Sequence, residues 1–196
     1  MNQANKCIWL LGLSGAGKTT IANQLVKNLK AENKPTILLD GDILRTGLNS
    51  NLGFSEDDRC ENMRRTAEVA KLFLAEGYWV VVALITPLEK MRALNRQILG
   101  NQYLEIYVNT PLSTCQIRDP KGLYAKVALK QIQHFTGIDS PFDIPQKADL
   151  IINTEGLSVE AAVEKIYDGF FHGDTQRVTE VHKDFFFSSV KRCGSP

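Results

Sequence analysis

Apolar runs and amphipathic stretches alternate along the chain. Cys7–Leu11 is a wholly apolar pentad that leads into a glycine-rich turn, and residues 19–29 then place Ile21, Ala22, Leu25, Val26 and Leu29 at helical spacing. Strand, loop and helix are predicted in that order. Residues 36–39 form a second apolar run, entered from the turn Asn33-Lys34-Pro35 and ending at Asp40-Gly41-Asp42. Ser55 with Asp58 resembles a capping box with Asp in place of the usual Glu, and Cys60, Met63, Ala67, Ala70 and Leu74 carry a helical stripe to Gly77. A further strand at 78–85, a helix at 88–99 and a strand at 103–108 follow. Such alternation requires a parallel sheet covered by helices on both faces, an α/β three-layer architecture that binds ligands at the carboxyl ends of its strands.

The alternation breaks between 119 and 144, where Lys121, Gly122, Lys126, Lys130, Gly137 and Pro141 predict a mobile lid. A short strand at 148–152 and a helix at 157–170, with Val159, Ala162, Val163, Ile166 and Phe170 at helical spacing, close the core. One domain over 1–171 is therefore expected, followed by a tail at 172–196. Its charges around Phe185-Phe186-Phe187 suit either a docking helix or a partner-binding segment.

Composition narrows the function classes. A length of 196 residues, 43% hydrophobic and 23% charged, is enough for one continuous core. The net charge of +1, from 23 basic and 22 acidic residues, gives no global field for nucleic acid or an anionic membrane, so any anion site must be local. Cys7, Cys60, Cys115 and Cys193 lie far apart with no CxxC pair, which argues against zinc or a disulfide framework and for a reducing cytoplasm. The apolar stretch at 7–13 is too short for a signal-peptide core, and no run approaches the ~20 residues that span a bilayer.

Gly12-Leu13-Ser14-Gly15-Ala16-Gly17-Lys18-Thr19 has Walker A spacing between a predicted strand and a predicted helix, the context that motif needs. Its glycines let backbone amides and the helix N-terminus wrap phosphate oxygens. Lys18 then reaches the β- and γ-phosphates of ATP, and the Thr19 hydroxyl holds Mg²⁺. The same cradle serves kinases, GTPases and motors, so other residues must choose between them. Asp40 and Asp42, on an extended backbone, would face the P-loop from one side, one orienting Mg²⁺ and the other taking a proton from an attacking hydroxyl. The sequence does not say which does which. Arg45, Arg59, Asn62, Arg64 and Arg65 lie close along the chain, with Arg59 and Asn62 on one helix face, a pattern suited to an anionic acceptor or to a solvated face balanced by Glu56, Asp57, Asp58 and Glu61. Phe54 fits either a hydrophobic staple or a platform for a flat base. Arg118 and the lid lysines would close over ATP and exclude water.

Taken in order, GLSGAGKTT, LDGDILR, LGFSEDDRCENMRR, Ile85-Thr86-Pro87, RDPKGLY and FTGIDSPF resemble the adenylylsulfate kinase family over roughly residues 6–155. The resemblance implies a P-loop NTPase fold of the nucleoside-monophosphate-kinase kind with a lid. It also implies transfer from ATP, with Mg²⁺, to the ribose 3′-hydroxyl of adenosine 5′-phosphosulfate. It puts residues 12–20, Thr20 included, and Arg118 on the ATP side, with Asp40 and Thr19 at Mg²⁺. Asp42, Arg45, Phe54, Arg59, Asn62 and Ile85 fall at the acceptor, with Phe54 and Phe142 sandwiching its adenine and Lys121, Gly122 and Leu123 completing the pocket. A small-molecule acceptor supplied ready-made and a homodimer are also implied. The chain departs from the pattern in three places along its length. Thr86 stands where the family usually has a serine, sometimes described as a phosphorylated intermediate, and is kept among the catalytic candidates, although direct in-line transfer needs only positioning and charge neutralisation. Lys126-Val127-Ala128-Leu129-Lys130 replaces Lys-Ala-Arg-Ala-Gly in the lid, and Ile43 and Thr46 replace asparagine and histidine. The lid change leaves room for a different acceptor, such as cytidine diphosphoramidate in capsule biosynthesis; a nucleotide-binding regulator without transfer, using the tail as its partner-binding element, is a further alternative against which the retained Lys18, Asp40 and Asp42 argue.

Overall fold

In a computed structural model, which describes residues 4–171, five parallel strands form one sheet between two helical layers. The predicted tail at 172–196 lies outside the described residues. The strands are β1 (Cys7–Leu11), β2 (Thr36–Asp40), β3 (Trp79–Ala83), β4 (Tyr103–Asn109) and β5 (Leu150–Asn153), in the order β2-β3-β1-β4-β5. β1 is central, with Ile8 in register with Val81 on one side and Leu104 on the other. The chain's crossovers leave β1 in opposite directions, so the loop after β1 opens at the point where strand order reverses, the usual ligand crevice of an open α/β sheet.

Period-two side-chain direction divides the core. Ile8 and Leu10 face Ile21, Leu25 and Leu29 of α1 (Lys18–Ala31) and Val163 and Ile166 of α7 (Val159–Phe170). Cys7, Trp9 and Leu11 face Met63, Ala67 and Leu74 of α3 (Glu56–Ala75) and Met91 of α4 (Glu89–Leu99). All five β1 side chains are fully buried, so β1 is a wholly apolar run rather than an alternating one. Leu25, equally buried, would cost about 2–5 kcal/mol if cut to alanine.

Three short helices escape a reading by periodicity: α2 (Gly41–Thr46), α5 (Leu112–Arg118) and α6 (Leu123–Ala128). None is longer than seven residues, too short to repeat an apolar stripe. The lid is therefore part helix, and Asp40-Gly41-Asp42 is a strand-to-helix junction, not one extended segment. Among the described residues no helix is long and apolar enough to cross a membrane.

Candidate active site

The loop from β1 to α1 turns at Gly12, whose φ of 147° and close approach to β4 admit only glycine: a Cβ there would lie 2.5 Å from the Val108 carbonyl oxygen. Lys18 is buried, and its amine donates to the carbonyls of Gly12 (3.0 Å) and Leu13 (2.7 Å). Burial pushes that amine down to about 8, with Lys121 adding to the fall and Asp42 and Asp40 opposing it. Arg118, at the end of α5, brings its guanidinium within 4.0 Å of where a Cβ of Gly17 would stand, above the start of α1.

The two aspartates have different settings. Asp40 ends β2 and caps α2, accepting from the Asp42 amide at 2.9 Å through one oxygen and from the Thr19 hydroxyl at 2.8 Å through the other. It is only 5% exposed. Asp42 lies one residue into α2, its side chain 66% exposed and ion-paired with Lys121 of the lid. The expectation that both carboxylates point alike from an extended strand is therefore corrected, because the helix begins between them.

Across the cavity, Ser55 caps α3 by accepting from the Asp58 amide at 3.1 Å, as its pattern predicts. Phe54, ahead of the cap, is exposed, and the N4 position against which a staple would pack is Arg59 rather than an apolar residue. The Arg45 guanidinium lies 4.3 Å from its ring centroid and that of Arg59 5.8 Å. Arg45 also donates to the Leu52 and Gly53 carbonyls. Arg59 spans to the lid, donating to the His134 carbonyl at 2.6 Å and the Thr136 hydroxyl at 2.7 Å. Asn62 is buried, accepting from Asn49 at 2.8 Å. Arg64 and Arg65 pair instead with Glu61 and form the solvated face.

A cavity of about 840 Å³ joins these groups. Residues 14–20, Asp40, Asp42, Arg45, Phe54, Arg59, Asn62, Ile85, Thr86, Arg118, Lys121 and Leu123 all line it. Gly12, Leu13, Gly122 and Phe142 do not. Gly12 and Leu13 act through their carbonyls on Lys18. A Cβ at Gly122 would meet nothing within 4 Å, and the Phe142 ring leans on Tyr107 at 5.9 Å between centroids. Phe54 and Phe142 thus do not face each other as the two sides of one sandwich in this structure. Of the lid lysines only Lys121 reaches the cavity.

The sequence reading missed Thr154, Leu157 and Val159, which line the cavity beside the P-loop, and His134 on the lid. The first three follow β5, so the rule that ligands gather at strand carboxyl ends points to them; no local signal marks His134. Tyr124 was also missed: from α6 its hydroxyl donates to the Ser14 carbonyl at 2.9 Å and ties the lid to the P-loop.

A phosphate cradle at the switch point of a parallel sheet, an acidic pair beside it, and an arginine-rich second lobe under a lid define a P-loop kinase. The family model for adenylylsulphate kinase matches residues 4–153. The adenylyl-sulfate kinase of Paraburkholderia xenovorans is 48% identical over 159 residues, covering 81% of this chain and 89% of that protein. That of Pseudomonas aeruginosa is 50% identical over 160 residues, covering 81% and 82%. A solved structure of the Mycobacterium tuberculosis APS kinase CysC, in complex with AMPPNP and APS, superposes with a TM-score of 0.82 at 42% identity, over 85% of this chain and 97% of that one. The chain belongs to the adenylylsulfate kinase family.

Proposed function

We propose that this chain transfers the γ-phosphoryl group of ATP to the 3′-hydroxyl of adenosine 5′-phosphosulfate, giving 3′-phosphoadenosine 5′-phosphosulfate and ADP. The observation that carries this reading is the single cavity in which the P-loop and the Phe54–Arg45–Arg59 lobe face each other with Asp42 between. P-loop amides and Lys18 take the donor phosphates, and Arg118 adds charge from above. Thr19, exposed at the cavity, and the buried Asp40 are hard oxygen ligands 2.8 Å apart that suit Mg²⁺, which takes one or two protein oxygens and fills its shell with phosphate and water. When bound, the ion neutralises charge on the β- and γ-oxygens.

With Asp40 committed to Thr19 and to the α2 cap, Asp42, exposed and ion-paired with Lys121 of the lid, is the carboxylate that accepts the 3′-hydroxyl proton as it exchanges that partner. The hydroxyl oxygen bonds to the γ-phosphorus as the bond to the bridging oxygen breaks, and ADP leaves with that electron pair. Phe54 offers a face for adenine, while Arg45 and Arg59, now satisfied by carbonyls and a hydroxyl, have forks matched to the acceptor's phosphosulfate. Ile85, Asn62, Lys121 and Leu123 bound the same space, and Gly122 and Phe142 join it only by a movement of the lid segments. The altered lid gives no support to another acceptor on backbone grounds: Lys130, at the glycine position, has φ 58°, the left-handed conformation a glycine would take. Free thiols at Cys7, Cys60 and Cys115 fit a reducing cytoplasm. A homodimer rests on the resemblance alone and is read by sedimentation.

A coupled ADP-release assay with MgATP tests the reading, comparing adenosine phosphosulfate, no acceptor and cytidine nucleotides. Release with adenosine phosphosulfate alone supports it. Release with a cytidine nucleotide moves the acceptor assignment, and silence throughout supports the non-catalytic alternative.

A further inference from the structure

Thr86, in the turn between β3 and α4, has φ 46°, a left-handed backbone that a β-branched residue rarely adopts. Such a conformation persists only where its surroundings over-determine it. Here they do. The side chain is fully buried, and its Oγ1 accepts from the Trp9 indole N–H at 2.8 Å. Its carbonyl accepts from the guanidinium of Arg92 at 3.3 Å, and the Pro87 carbonyl accepts from the same nitrogen at 3.4 Å. Arg92 is itself buried and held from behind by Glu89 at 2.9 Å, with Glu105 3.8 Å away. A buried arginine so placed is tolerated because its hydrogen bonds are made, and these carbonyls are among its acceptors.

The turn meets both halves of the cavity. The Ile85 carbonyl accepts from the Gly12 amide at 3.3 Å, at the entry to the P-loop, and the Pro87 carbonyl accepts from the Asp143 amide at 2.8 Å, where the lid returns to the body. Asp143 answers by accepting from the Glu89 amide at 2.9 Å, at the start of α4. Ile85, Thr86 and Pro87 also line the cavity wall.

We infer that Thr86 is a positioning residue, held by Trp9 and Arg92 in a strained turn that sets the acceptor wall against the P-loop and the lid's return, and is not a phosphoryl carrier. A carrier would need its oxygen free to attack phosphorus in line and a base for its proton. One lone pair of the Thr86 oxygen is taken by the Trp9 N–H, which fixes the direction of the hydroxyl, and the side chain is shielded from solvent. This inference rests on the phosphotransfer reading for its kinetic arm only.

Two variants test it: Thr86→Val, which keeps the shape and removes the oxygen, and Trp9→Phe, which keeps a ring and removes the N–H. Both are expected to turn over, with acceptor KM raised roughly tenfold, the worth of one buried hydrogen bond. The donor KM should stay within about twofold, because the remaining cradle is untouched, and Thr86→Ser should restore wild-type values. Unchanged acceptor KM in both variants would overturn the positioning role. Loss of all turnover in Thr86→Val, together with acid-stable phosphate on Thr86 after incubation with MgATP alone, would restore the carrier. Amide hydrogen exchange at Gly12 and Asp143 gives an arm that needs no acceptor. It should quicken in both variants, and no change there overturns the inference even if the wild-type protein proves to use another substrate.

Discussion

The donor and acceptor halves of the cavity are built from different materials. The donor half is backbone: a glycine turn wedged against β4, amides at the start of α1, and Lys18, Thr19 and Asp40 locked to neighbours within a strand or helix end. The acceptor half is side chains from distant segments, with Arg59 reaching 75 and 77 residues along the chain to His134 and Thr136, and Lys121 reaching 79 back to Asp42. The first has its contacts in place before anything binds. The second depends on exchangeable ion pairs and hydrogen bonds, which lets an anionic acceptor take over partners already aimed inward.

The contrast fails most visibly if the shared centre is removed. Asp42→Asn should lower kcat by roughly 10²- to 10⁴-fold, the range of a lost general base, with both KM values within a fewfold. An equal loss spread over the donor KM would place Asp42 with the donor half instead. Arg59→Ala should raise acceptor KM by about 10- to 100-fold, the range of charge-assisted hydrogen bonds, and leave donor affinity close to wild type. Steady-state kinetics with each substrate varied separates these outcomes.

The donor half carries its own pH signature. The Lys18 amine sits at about 8 because burial disfavours its charged form, and a polyphosphate beside it favours that form again. Binding therefore takes up a proton above pH 8, and MgATP affinity should fall by up to about tenfold per pH unit there. Calorimetry in buffers of differing ionisation enthalpy reads the uptake directly, and Lys18→Met should abolish it. The smallest effect is expected in the lid. Lys130→Gly, at φ 58°, should change stability by less than about 1 kcal/mol, the relief of left-handed strain offset by glycine's chain entropy, and thermal unfolding measures it.

The same contrast explains what the sequence made legible. The sheet, the major helices and the P-loop are local: apolar runs, helical stripes and a spacing of glycines written in one short stretch, and the structure reproduces them to within a few residues. Arg45, Arg59 and Asn62 were readable as an anion face and Phe54 as a staple or a base platform, but the geometry of that face was not, because the partners that hold Arg45, Arg59 and Asn62 lie in the lid or in loops without periodicity. Asp40 and Asp42 looked equivalent until the start of α2 between them gave one a cap and a hydroxyl partner and the other an exposed position. Trp9 reads only as a core residue in an apolar strand, and its contact with Thr86 crosses 77 positions. Phe142 is the opposite case: the resemblance puts it beside adenine, while its ring in this structure packs on Tyr107.

One measurement bears on all of this most directly: ³¹P NMR of the protein incubated with MgATP and adenosine 5′-phosphosulfate. The predicted result is a new 3′-phosphomonoester resonance growing in step with ADP, present with the wild-type protein and nearly absent with Asp42→Asn. ADP appearing with inorganic phosphate and no phosphomonoester, or no turnover at all, would contradict it.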